Sequence, residues 1–152
     1  MEEEDLYNTA KKLEAAIKRI KDSERIIEAN KEKLLEFTNH CLADSVGKNK
    51  MSRYLCDLVH IAEWLGKPFA EATKQDIEGL MVILQEYKGD NTGRLYSEST
   101  KRGYKIIIRK FYKWLRKTKV YPDEVEWIKT AIKENHKKLP EEMLVEEEVK
   151  KI

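Results

Sequence analysis

The chain of 152 residues is poor in the residues that interrupt or cross-link a fold: six glycines, three prolines and two cysteines. So few glycines and prolines leave little room for turns, and strand-like alternation of apolar and polar residues is missing, which excludes a sandwich or barrel. Cys41 and Cys56 are too few for a disulfide framework and read as two reduced thiols. No apolar run approaches the length that spans a bilayer, and the opening "MEEEDLYNTAKK" lacks the basic and apolar regions of a secretory signal. A cytoplasmic protein with no membrane partner is expected. What is abundant is charge, 38% of residues, almost balanced at a formal net +2. Lys, Glu, Leu, Ile and Ala fill most of the rest, so helix is expected nearly throughout.

The first helix should run from about Asp5 to Lys21. Leu6, Leu13, Ile20, Ile27 and Leu34 recur every seven residues, with Ala10 and Ile17 between them, as in a pairing seam. The seam fails at Glu24 and Lys31, and Ser23 is a plausible cap, so the pattern reads as two helices or one bent one. It leaves open a dimer through the N-terminal helix or simple packing on the body. The second helix is expected over Ser23–Ala43, and the third over about Lys50–Leu65, stopped by Gly66 and Pro68. Thr73, with Asp76 in the first turn, should cap a fourth. Ser97 or Ser99 should cap a fifth after the loop "GDNTGRLYSES", and Pro122 should open a sixth over "PDEVEWIKTAIKEN". The last stretch, "LPEEMLVEEEVKKI", reads as a link and the start of another helix, as if the chain were the front part of a longer protein.

Charge is unevenly spread. Between Thr100 and Lys119 lie nine Lys or Arg residues and no acid. On a helical wheel Tyr104, Ile107, Ile108, Phe111, Trp114 and Leu115 share one side. Arg102, Lys105, Arg109, Lys113 and Arg116 take the opposite side. A solvated face is the usual meaning of such a stripe, but like charges this dense repel one another unless a polyanion compensates them. Phosphate backbones do so by counterion release. The segment "MSRYLCDLVHIAEWL" also repeats against "KRGYKIIIRKFYKWL" fifty residues on, matching Tyr54 to Tyr104, Leu58 to Ile108, Ile61 to Phe111, Trp64 to Trp114 and Leu65 to Leu115. These shared positions are expected in the core rather than as platforms for bases.

"SRYLCDLVHIAEWLGKPFAEATKQDIEGL" followed by "YSESTKRGYKIIIRKFYKWL" resembles the N-terminal core-binding domain of tyrosine recombinases, the phage-integrase and Xer-type family, in its archaeal-looking members. The resemblance runs from about Ser23 to the C-terminus. It implies an all-α, SAM-like helical bundle with an extra N-terminal helix, divided as an arm (1–22), a core-binding domain (23–138) and a link to a catalytic domain (139–152). Such a domain clamps double-stranded DNA, works beside other recombinase protomers and is nucleoid-associated. Two of its helices approach the major groove. Thr100, Lys101, Arg102, Lys105 and Arg109 would lie on the second of these, continued by the stripe residues Lys113 and Arg116, with Lys48, Lys50 and Arg53 at the start of the first. Phosphate contacts would dominate, though Arg102, Lys105 or Arg109 could reach guanine edges. The chain departs from the family at "VGKNKMSRYL", which lacks a hydroxyl-bearing cap before the first groove helix.

The family's chemistry is attack of a tyrosine on a DNA phosphodiester, giving a 3′-phosphotyrosyl link without metal or nucleotide cofactor. Its catalytic groups belong to a second domain. The thirteen residues after Leu139 contain no Arg, His or Tyr, so no catalytic residue is assigned, and Tyr54, Tyr104 and Tyr112 are not read as nucleophiles. Deleting residues 1–22 is expected to affect assembly more than DNA affinity. His40, Cys41, Cys56 and His60 offer four zinc-type ligands, but neighbours on a helix diverge by about 100° and no paired-cysteine knuckle exists, so no metal is expected. The alternative to a DNA-binding module is a helical assembly module whose basic face meets an acidic protein partner.

Overall fold

The computed structural model describes residues 2–89 and 92–131, with side chains from Tyr7 onward. Its elements are α1 (Glu2–Asp22), α2 (Glu28–Ala43), α3 (Lys48–Leu65), a 3-10 turn (Phe69–Glu71), α4 (Lys74–Glu86), α5 (Glu98–Arg116) and the single turn α6 (Asp123–Glu126). Among the described residues the fold is all-α, with no strand and one isolated antiparallel bridge, Lys88 to Leu95, closing the loop before α5.

The helix boundaries follow from local chemistry. Thr73 and Asp76 form a reciprocal cap: the Asp76 amide donates to Thr73 Oγ1 at 3.2 Å and the Thr73 amide donates to Asp76 Oδ2 at 2.9 Å. Those hydrogen bonds, the backbone one foremost, with Lys67 Nζ at 2.9 Å, hold the Asp76 carboxyl below its ordinary range. Ser97, rather than Ser99, caps α5, accepting from the Thr100 amide at 3.1 Å. Gly66 ends α3 at φ 68, a left-handed conformation that glycine adopts without steric penalty. Lys117 ends α5 in the same region, φ 56, without that exemption.

Two boundaries differ from the expectation. Ser23 does not start α2; its hydroxyl accepts from the Arg25 amide at 3.1 Å and shapes a bend, and the helix begins only at Glu28 after an uncapped Ile27. The sixth helix is one turn long, because Pro122 stands before it as N-cap and the chain leaves helical geometry after Glu126. The remainder of the expected sixth helix beyond Ala131, and the stretch 139–152, lie outside the described residues.

Helix α3 is the axis of the bundle, packing against α1, α2, α4 and α5. Its Leu55, Leu58 and Ile61 are sealed from solvent together with Leu34 and Phe37 of α2, Ile77 and Leu84 of α4, and Ile107, Ile108 and Phe111 of α5. Each such side chain contributes about 1.5–3 kcal/mol by leaving water. Phe111 meets Phe37 edge-on at 5.2 Å and Phe69 at 4.6 Å between ring centres, the geometry aromatic quadrupoles prefer. Helix α1 lies along α3, with Leu13 and Ile20 buried in the same core. Those seam residues are therefore covered by the chain's own body, while Ile27 is 37% exposed and Ile26 is buried in its stead.

A buried polar residue ties the pieces together. Asn30 of α2 donates from Nδ2 to the Lys67 carbonyl at 2.8 Å and accepts the Phe69 amide at 2.9 Å. The Tyr112 hydroxyl of α5 donates to the Phe69 carbonyl at 2.9 Å. Both backbone polar groups of Phe69, in the link between α3 and α4, are thus satisfied by side chains from other helices.

Candidate nucleic-acid interface

Packing divides the cations of α5 into distinct groups. Lys101 was expected among the DNA contacts that the resemblance implies but is 6% exposed; its Nζ donates to Gln85 Oε1 at 2.9 Å and to Glu98 Oε2 at 3.5 Å. The acid one turn earlier, Glu98, pairs with its charge, and the neutral amide of Gln85 on α4 accepts a further hydrogen bond. Arg116 is similarly drawn inward. Its Nε donates to Glu124 Oε2 at 2.6 Å and its Nη1 to the Ala70 carbonyl at 2.8 Å, so α6 and the 3-10 turn hold it. Neither side chain is presented to a partner; the wheel misplaced Arg116 because its anchors come from elements remote in sequence, and the resemblance misplaced Lys101, whose partners are on α4 and just before the stripe.

The chain after α5 covers one flank of the stripe. Tyr121 lies against Arg109, whose guanidinium carbon is 4.0 Å from the ring centre, and Lys113 Nζ is 4.9 Å from the same centre. Arg109 Nε is buried without a hydrogen-bond partner, which fits a guanidinium held by stacking rather than by an acceptor. Arg102, largely exposed, donates from Nε to the Thr130 carbonyl at 2.7 Å. Lys105 is half-buried beside Trp127 and Ile128. Thr100 is exposed in the first turn.

On the other flank α5 meets α3. The Tyr54 ring lies between Lys50 Nζ, 5.8 Å from its centre, and Lys110 Nζ at 6.0 Å. The repeat between the two helices is thus broken at this position: Tyr104 is buried, whereas Tyr54 is half-buried and flanked by cations. Lys48, Lys50 and Arg53 are all exposed on the first two turns of α3. Gly47 caps that helix with no side-chain acceptor and no acid follows in the first turn. Its first amides are left facing outward among the lysines, a favourable arrangement for an anion. Lys110, Lys113 and Lys117 line a cleft against α2 with His40, Trp114 and the carboxylate of Asp44. Lys110 and Lys117 escaped the sequence assignment, although Tyr54 one helix away could have drawn attention to Lys110. Among the described residues no carboxylate stands within ion-pair distance of Lys48, Lys50, Arg53, Lys105, Arg109, Lys110 or Lys113.

A carboxylate does lie beneath this surface. Asp57 points toward the close approach of α3 and α5 at Gly103, where an added Cβ would sit 3.6 Å from Asp57 Oδ2. Burial pushes its carboxyl up to about 7, with the Arg53 guanidinium pulling the other way. Deeper still, Tyr104 Oη lies 2.6 Å from His60 Nδ1 and 3.0 Å from Tyr96 Oη, inside a cluster completed by Trp64 and Tyr87. Burial raises the Tyr104 phenol far above its ordinary range, and burial likewise raises that of Tyr112. Both rings pack in the interior.

His40, Cys41, Cys56 and His60 do not converge, and among the described residues no group of three or more potential ligands is placed to hold a metal. None of the helices among those residues is long and apolar enough to cross a membrane. Comparison with protein-family models, curated proteins and solved structures finds no match.

Proposed function

We propose that this chain binds duplex DNA as the SAM-like core-binding module of a tyrosine recombinase, without cofactor, alongside other protomers in the cytoplasm, strand cleavage being the task of a separate catalytic domain. The observation that carries the reading is the meeting of cations from two helices around Tyr54, Lys50 from α3 and Lys110 from α5, neither with a carboxylate in ion-pair distance among the described residues. Rigid helices fix the backbone positions of these groups, while their side chains remain free to follow phosphates. Relative to the sequence expectation, the contact surface moves around α5, from the flank under Tyr121 and α6 toward α3. Long flexible cations favour phosphate positioning over base reading there. Arg102 and Arg53 remain the groups with the planar fork that a guanine edge requires.

The test is a mobility-shift titration with duplex DNA over a range of salt. A footprint of about six phosphates costs roughly a thousandfold in affinity between 50 and 200 mM salt. Lys50→Glu combined with Lys110→Glu is expected to abolish the shift while leaving the circular-dichroism melt unchanged. Retained affinity in that variant overturns the assignment. Equal binding to polyglutamate and to DNA would instead favour a module for acidic proteins.

A further inference from the structure

The cation surface does not end at α3. A cleft of about 530 Å³ runs between α1 and α3, lined by Lys12, Ala15, Ala16 and Arg19 of α1 and by Asn49, Ser52, Arg53 and Cys56 of α3. Lys12 and Arg19 lie two helical turns apart on the flank of α1 that faces the cleft, roughly 10 Å along the axis. Neither they nor Arg53 has a carboxylate within ion-pair distance among the described residues, and no carboxylate lines the cleft. Elsewhere on α1, Lys18 pairs with Asp22 at 2.6 Å.

We propose that this cleft seats the sugar-phosphate backbone of the same duplex, so that α1 extends the DNA footprint; the inference rests on the DNA-binding reading above. Arg53 is the hinge between the two regions, because it is exposed on α3, lines the cleft and lies one residue from Tyr54. The cleft carries no aromatic ring. A strand with unstacked bases would find no platform there, whereas duplex phosphates need only cations and small polar donors such as Asn49. The small residues Ala15 and Ala16 let a backbone approach closely. The N-terminal helix therefore contributes affinity as well as core packing, in contrast to an arm concerned with assembly alone.

The experiment compares two double variants with equal loss of charge: Lys12→Gln/Arg19→Gln at the cleft and Lys18→Gln/Lys21→Gln on the rest of α1, each checked for an unaltered thermal melt. Deletion of α1 is unsuitable because Leu13 and Ile20 belong to the core. Loss of two phosphate contacts flattens the slope of log K against log salt by about 1.8. That flattening is expected for the cleft pair only, with Arg19→Lys restoring part of it in the Lys12→Gln background. Equal flattening by both pairs reveals a general charge effect and overturns the proposal, as does no change in either. If the native chain shows no salt-dependent duplex binding at all, the DNA-binding reading falls and takes this one with it.

Discussion

Replacing Asp57 with Asn should stabilise the protein, and by an amount that depends on pH. The side chain keeps its shape against Gly103, so packing is preserved while the ionisation is removed. In the folded chain the carboxyl is raised from 3.8 to about 7, chiefly by burial. A folded pKa above the unfolded one means that the native state retains a proton the unfolded state has released. Stability is therefore full at pH values below the unfolded pKa, declines as pH climbs toward 7, and is flat above. Three pH units correspond to about 4 kcal/mol, and residual solvent contact at this half-buried position reduces the expectation to about 2 kcal/mol. Urea melts of the native chain and of Asp57→Asn at half-unit steps from pH 3.5 to 8.5 measure this directly. The variant should be about 2 kcal/mol more stable at pH 8, with the gap closing only as pH falls to about 4. A gap that stays constant across the range would mean that the carboxyl titrates normally, and the assignment of a desolvated charge beneath the α3–α5 contact would fail.

Two further outcomes concern stability elsewhere. Asn30→Ala leaves the Phe69 amide and the Lys67 carbonyl without their partner and should cost about 2–3 kcal/mol in denaturant melts; a loss below 0.5 kcal/mol would show that water replaces the side chain freely. Lys117→Gly relieves the left-handed conformation at the end of α5 and should stabilise by about 1 kcal/mol in the same measurement, while weakening the salt dependence of any DNA complex by removing a cation from the α2–α5 cleft.

The helices were legible because their signals are local. Thr73 with Asp76, Gly66 with Pro68 and the apolar face of α5 each act within a few residues of themselves, and each lies where its pattern indicated. Ser23 misled because its hydroxyl serves equally well in a bend, and only the surrounding backbone decides which. The cations were harder to read for a related reason. A wheel assigns each side chain an angle on its own helix, but whether Arg116 faces solvent depends on Glu124 and Ala70, and whether Arg109 is free depends on Tyr121. Lys101 shows the same effect at shorter range, since Glu98 stands immediately before the stretch that contains no acid. Asn30 carries no signature at all in a single sequence: an asparagine within α2 has the composition of any surface position, and its role emerges only when the α3–α4 link is brought against it.

That link gives the bundle an unusual mechanical dependence. Because one residue's amide is gripped from α2 and its carbonyl from α5, withdrawing α2 strands the amide in an oily interior, and withdrawing α5 leaves the carbonyl only the Ala72 amide at 3.2 Å. Helices far apart in the chain are thereby committed to leave or stay together. A force applied to the outer surface of α5 would be felt at α2 without passing through the axis of the molecule.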